Sequence, residues 1–178
     1  MTPHSPTTAD SSPDGHPSRP PAVVVGVDGS AASGQALLFA AGEAQRRQAV
    51  LTIVAAYDVS RAGYGYAAGL SAGWDLSPME DRLREAAEAL VKDAADTVAT
   101  DVTGPAVHVR TLVARGRPSQ VLLQAADGAA VLVVGARGAG AFTRLMLGST
   151  STEVVHAASV PVIVVPGTDP AARPAVSE

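Results

Sequence analysis

Apolar runs and polar breaks alternate along the middle of this chain in a steady rhythm. Ala22-Val-Val-Val-Gly-Val27 is uninterrupted, rich in β-branched residues and closed by Asp28-Gly-Ser30. A run with no polar alternation suits a central parallel strand covered on both faces. From Ala31 to Arg47 the period changes. Leu37, Leu38, Ala41 and Ala44 make one apolar stripe while Glu43, Arg46 and Arg47 face away, which predicts a helix. Val50 to Ala55 is a second strand. Ser77-Pro-Met-Glu80 then opens a helix, with Ser77 as cap, Pro78 in the first turn and Glu80 closing a capping box. Leu83, Ala87, Leu90, Ala94 and Val98 carry the apolar face of that helix.

Val107 to Val113 alternates, His108 and Arg110 lying opposite Val109, as a third strand does. After the turn Arg115-Gly-Arg-Pro118, Ser119 to Ala126 reads as a short helix and Ala129 to Val134 as a fourth strand. Thr150 to Ala157 is a helix, and Val160 to Val165 a fifth strand whose Pro161 suits a sheet edge. The order β-α-β-α-β-α-β-α-β with right-handed crossovers predicts a three-layer α/β/α sandwich. The folded domain is expected over 22–166, between a Pro/Ser-rich disordered tail at 1–21 and a flexible one at 167–178. Asp58 to Asp75 breaks the rhythm. With Tyr64, Tyr66 and Trp74 among glycines and alanines, it reads as a long loop over one sheet edge.

Composition narrows the chemistry. The 178 residues include no cysteine, which excludes disulfides, thiolate catalysis and cysteine-ligated metal. No apolar run reaches membrane-spanning length, and the first residues lack the basic-then-apolar pattern of a signal peptide. A cytoplasmic location away from membranes is therefore expected. The net charge is −4, with Lys92 the only lysine among thirteen Lys and Arg residues. That balance argues against non-specific nucleic-acid binding, which depends on neutralising phosphates.

In an open parallel sheet, ligands bind beyond the carboxyl ends of the strands, where strand order reverses. Two such ends carry suitable residues: Val27-Asp28-Gly29-Ser30, and Gly135-Ala-Arg137-Gly138 followed by Gly148-Ser149-Thr150. Asp28 can accept hydrogen bonds from ribose hydroxyls or an adenine amino group, cap the following helix, or do both. Gly135, Gly138 and Gly148 allow close backbone approach, so N–H groups can converge on an anion at a helix start. Ser149, Thr150 and Ser151 add hydroxyls there, although Thr150 with Glu153 also fits a capping box. Arg137 either pairs with phosphates or is a solvated loop residue. Phe142, Leu145, Met146 and Leu147 either form a lid or anchor the loop. The Gly-Lys-Ser/Thr phosphate loop is absent, and Thr143 stands where a G-x-G-x-x-G fingerprint starting at Gly138 would need glycine. His108 and His156 read as surface or core-edge residues, and no catalytic residue or metal-ligating set is assigned.

Gly135-x2-Gly138-x9-Gly148-Ser149, together with Val24-Val-Gly-Val-Asp28-Gly-Ser30, Ala126-Asp127 and Val154-Val-x3-Ala158-x2-Pro161-Val-Ile-Val-Val165, resembles the universal stress protein family and its ATP-binding-motif subgroup over about Val23 to Pro166. The resemblance implies a Rossmann-like adenine-nucleotide fold with strand order 3-2-1-4-5. It implies that Asp28 meets ribose or adenine, that backbone near Val54 borders the base, and that Gly135, Gly138, Gly148, Ser149 and Thr150 hold phosphates, often with a divalent ion. The nucleotide-binding set assigned on this basis is Val27, Asp28, Val54, Val113, Gly135, Arg137, Gly138, Gly148, Ser149 and Thr150. It also implies a homodimer paired through Val160 to Val165, which would cover an otherwise open apolar edge. The expected function is that of an ATP-binding stress-response or signalling module, with Mg2+ and with slow ATP hydrolysis at most. A nucleotide-independent dimeric interaction module and a phosphoryl- or adenylyl-transferring enzyme are the rival readings.

Overall fold

The computed structural model describes residues 21–58, 77–138 and 147–167. The expectations about the two tails, the aromatic loop and the apolar residues Phe142, Leu145 and Met146 lie outside the described residues. The elements run β1 (Ala22–Gly26), α1 (Ala31–Arg47), β2 (Val50–Tyr57), α2 (Ser77–Asp101), β3 (Val109–Arg115), α3 (Pro118–Ala125), β4 (Val131–Gly135), α4 (Ser149–Ala157) and β5 (Val162–Val165). All neighbouring strands are parallel, in the order β3-β2-β1-β4-β5. The fold is the three-layer sandwich that the element order predicts.

The continuous apolar runs of β1 and β4 are buried on both sides because each face of the sheet has its own helical layer. Val23, Val25, Leu51, Ile53, Val131 and Val133 share one core with α1 and α2. Val24, Val54, Leu132 and Val134 share the other with Val121 and Leu122 of α3 and Val154 of α4. Alanines 32, 36, 40, 41 and 44 bring α1 down onto the sheet, its start capped by Ser30, whose hydroxyl accepts from the Ser33 N–H at 3.1 Å. Leu38 is a correction. It is 38% exposed and faces away from the sheet, since Ala36, Leu37, Ala40 and Ala41 already fill the buried face.

Strand limits shift by one to two residues. β2 continues to Tyr57, and β3 stays in register with it through Arg115, so the third strand is Val109–Arg115 rather than Val107–Val113. β5 starts only at Val162, after Pro161, which lacks a donor and contributes its carbonyl to Leu132 N–H at 2.9 Å. The box expected at Ser77 and Glu80 takes a different form: α2 already includes Ser77, and both Glu80 oxygens accept from Arg115 Nη1 at 3.0 Å. None of the described helices is long and apolar enough to cross a membrane.

Candidate functional site

β1 and β4 lie side by side, but their connections leave toward opposite ends of the sheet, β1 to β2 and β4 to β5. Above this divergence the carboxyl ends of β1, β2 and β4 open into a cleft of about 410 Å³. Of the residues assigned from sequence, Val27, Asp28, Val54, Gly135, Arg137, Gly138, Gly148, Ser149 and Thr150 all line it. Val113 does not. On β3 it pairs with Ala55 of β2, and both face the α1–α2 core, whereas the cleft opens on the Val54 and Ala56 side of β2.

The turn after β1 is built by short side chains. Gly29 takes φ +78, and the Ser30 N–H donates to Asp28 Oδ1 at 3.0 Å. Asp28 thus closes the turn before α1, while Ser30 is the helix cap. Beneath them Ser33 is 5% exposed; its hydroxyl donates to Ser30 O at 2.9 Å and accepts from the Asp28 N–H at 3.3 Å. Ser30 Oγ also donates to Arg137 O at 3.3 Å, tying this turn to the loop after β4.

The described residues at the two ends of that second loop are tied by backbone bonds. The Ala136 N–H donates to Val165 O at 2.7 Å, and the Gly148 N–H to Ala136 O at 2.8 Å. The buried Ser151 hydroxyl lies 3.0 Å from Ala136 O and 2.9 Å from Gly148 O, its two acceptors. Gly135 is required by packing, because a Cβ there would stand 2.8 Å from Ala32 C and 2.9 Å from Ser33 N of α1. Gly148 is different. A Cβ there would meet nothing nearer than 3.5 Å, and its φ of −66 suits any residue.

Gly148 caps α4 without a side chain, so the capping box expected at Thr150 and Glu153 does not form. Glu153 is engaged elsewhere, accepting from Ser119 Oγ and from Arg117 Nη2. Among the described residues no acceptor meets the N–H groups of Ser149, Thr150 and Ser151. A helix start of this kind, with free donors and the positive end of its dipole, attracts anions. Val54, Ala56, Pro118, Leu122 and Val134 give the cleft an apolar part of its lining, and Asp28 adds a carboxylate. The arrangement suits a ligand with an anionic group at one end, hydroxyls in the middle and an apolar body. His108 and His156 lie outside the lining, the His156 ring being hydrogen-bonded to Thr152 O at 2.7 Å.

Sequence reasoning missed Gly26, Ser33, Ala56, Pro118, Leu122 and Val134 as lining residues. Ser33 was within reach, as it stands three residues after the cap Ser30. The α3 residues were not, because their place depends on which sheet face α3 covers.

Residues 21–166 match the family model described as the universal stress protein family. A universal stress protein of Mycolicibacterium smegmatis is 36% identical over 151 residues, covering 85% of this chain and 50% of that protein. The chain spans about half the length of the curated relatives it matches. Among solved structures, the universal stress protein UspA of Lactobacillus plantarum superimposes with a TM-score of 0.65 at 30% identity, covering 83% of this chain and 98% of its own. A universal stress protein crystallised in complex with cAMP gives a TM-score of 0.58 at 25% identity, over 84% of this chain and 98% of its own. Sheet order, the glycine spacing and these matches agree, and the chain belongs to the universal stress protein family.

Proposed function

We propose that this chain is an ATP-binding universal stress protein of the cytoplasm, acting as a nucleotide-dependent stress-response or signalling module. The observation that carries this reading is the start of α4. Among the described residues no acceptor meets its first amides, its cap is a glycine that backbone packing does not require, and Gly148, Ser149 and Thr150 line the cleft. The phosphates would meet Gly138, Gly148, Ser149 and Thr150, with Arg137 nearby; the ribose would meet Asp28; the base would lie toward Val27 and Val54. The likeness to a family member crystallised with cAMP supports an adenine nucleotide as the ligand class.

The cleft residues fit a nucleotide better than a bare metal ion. Asp28 is the one carboxylate among the lining residues, and no cluster of three or more His, Cys, Asp or Glu exists among the described residues. Mg2+ would therefore arrive on the ATP phosphates, where it would neutralise their charge. Hydrolysis would be slow, since Asp28 alone has no partner group to activate water. A second copy would pair along β5, whose four residues are each only partly buried and have a neighbour on the β4 side alone among the described residues. Thermal unfolding of nucleotide-stripped protein tests the reading. Millimolar Mg-ATP should raise the midpoint by several degrees through preferential binding to the folded state, and an unchanged midpoint with ATP, ADP, AMP and cAMP alike would refute it.

A further inference from the structure

Glu153 is the residue whose sequence role and structural role differ most. It sits on α4 one turn beyond Ser149, and in place of its own helix start it reaches α3. Ser119 donates its hydroxyl to Glu153 Oε2, and Arg117 Nη2 approaches Oε1 at 3.5 Å. The two contacts are unequal. Arg117 is 62% exposed and its ion pair is correspondingly weak. Ser119 is only 4% exposed; its bond is charge-assisted because the acceptor is a carboxylate, itself 45% exposed, and its loss would leave a buried hydroxyl without that partner.

The bond joins the two walls of the cleft. Pro118 and Leu122 of α3 form part of the apolar lining, while Ser149, Thr150 and Ser151 of α4, whose amides meet no acceptor among the described residues, line it as well. Val121 and Leu122 also pack in one core with Val154. The apolar contact joins the buried faces of the two helices, and the Ser119–Glu153 bond adds a polar tie between the first turn of α3 and the second turn of α4. Glu153 itself is not among the lining residues, so it acts on a ligand only through these helix starts.

We propose that Glu153 is a positioning residue of the nucleotide cleft: by accepting from Ser119 it fixes the distance between the apolar wall of α3 and the anion-facing start of α4. This inference rests on the nucleotide reading of the cleft. A ligand that must touch both walls binds well only when that distance is held, because the bound geometry is then set in advance.

The test is the Mg-ADP dissociation constant of the full chain, measured well below the unfolding midpoint, for Glu153→Ala, Ser119→Ala, the double variant and Glu153→Gln. Glu153→Ala and Ser119→Ala should each weaken binding by about tenfold, and the double variant no further than either, since both remove the same bond. Glu153→Gln, whose amide oxygen still accepts from Ser119, should stay within about threefold of the parent. A merely structural role would lower the unfolding midpoint and leave the ADP affinity of the folded protein unchanged, and that result would overturn the proposal. Multiplying losses in the double variant would overturn it as well. If Glu153→Ala fails to fold, Ser119→Ala carries the same comparison. A parent chain that binds none of ATP, ADP, AMP and cAMP removes the nucleotide reading and this inference together; one that binds another of these in place of ADP takes that nucleotide as the probe; a parent that binds and variants that bind equally well remove only this inference.

Discussion

Asp28 Oδ2 occupies the space a side chain on Gly138 would need: a Cβ built there would stand 2.6 Å from that oxygen. The first strand's acidic residue and the loop glycine are therefore fitted to each other across the cleft, although 110 positions separate them in the chain. Asp28 is not free to move aside at no cost, because its other oxygen closes the turn by accepting from the Ser30 N–H.

Gly138→Ala should push the Asp28 carboxylate out of place. Both residues are exposed, so folding should lose no more than about 1 kcal/mol, while ATP affinity falls by about tenfold or more. Comparing urea unfolding with an ATP titration checks both halves. Asp28→Asn should keep the turn, since an amide oxygen accepts the same bond, and should weaken adenosine-containing ligands without lowering stability appreciably.

Gly135→Ala should behave in the opposite way. Its new methyl would press on the backbone of Ala32 and Ser33, which cannot rotate aside as a side chain can. The expected loss is about 1–3 kcal/mol of folding free energy, readable as a lower urea midpoint in the absence of any ligand.

Leu132 is completely buried in the layer beneath α3 and α4. Leu132→Ala should cost about 2–5 kcal/mol through lost burial and the cavity left behind. A loss under 1 kcal/mol in chemical denaturation would mean that this layer is packed more loosely than described.

Glu43 sets an acid-dependent increment of stability. Hydrogen bonds from Arg46 and then Arg47 hold its carboxyl below the ordinary value of 4.5, with their charges adding to the effect and slight desolvation opposing it. A group whose folded value is depressed stabilises the fold above its unfolded value, and this contribution disappears as pH falls through the folded one. The arginines are largely solvent-exposed, so the increment is about 0.5 kcal/mol. Glu43→Gln should accordingly be less stable than the parent at pH 7 by about that amount and indistinguishable from it once the pH falls well below 4. A difference that persists in acid would contradict this assignment.

The sheet was legible in the sequence because burial on both faces leaves no polar position in β1 or β4, and few residues besides β-branched ones tolerate that setting. The glycine loop was legible for a related reason: Gly135 and Gly138 stand where neighbouring atoms leave no room for a Cβ. Legibility failed where partners are distant in sequence. Thr150-x-x-Glu153 has the spacing of a local cap, yet the buried hydroxyl of Ser119 offers Glu153 a better bond. Glu80 likewise answers Arg115 across the fold. Val113 failed for want of a clear pattern, since β3 is half exposed and its alternation does not say which face meets the cleft. Leu38 was misplaced because α1 is so rich in alanine that its buried face needs no second leucine beside Leu37.

The most direct test of the central claim is a calorimetric titration of Mg-ATP into nucleotide-stripped parent and Gly148→Ala protein. A methyl at position 148 would make only ordinary contacts with the backbone of Ala136, Arg137 and Gly138, and would narrow the space between them and the start of α4 where the phosphates are proposed to sit. Binding should be saturable near one ATP per parent chain, and Gly148→Ala protein should fold with nearly the parent's midpoint but bind at least about tenfold more weakly. A parent that takes up no ATP, or a variant that binds it as tightly as the parent, would contradict the claim.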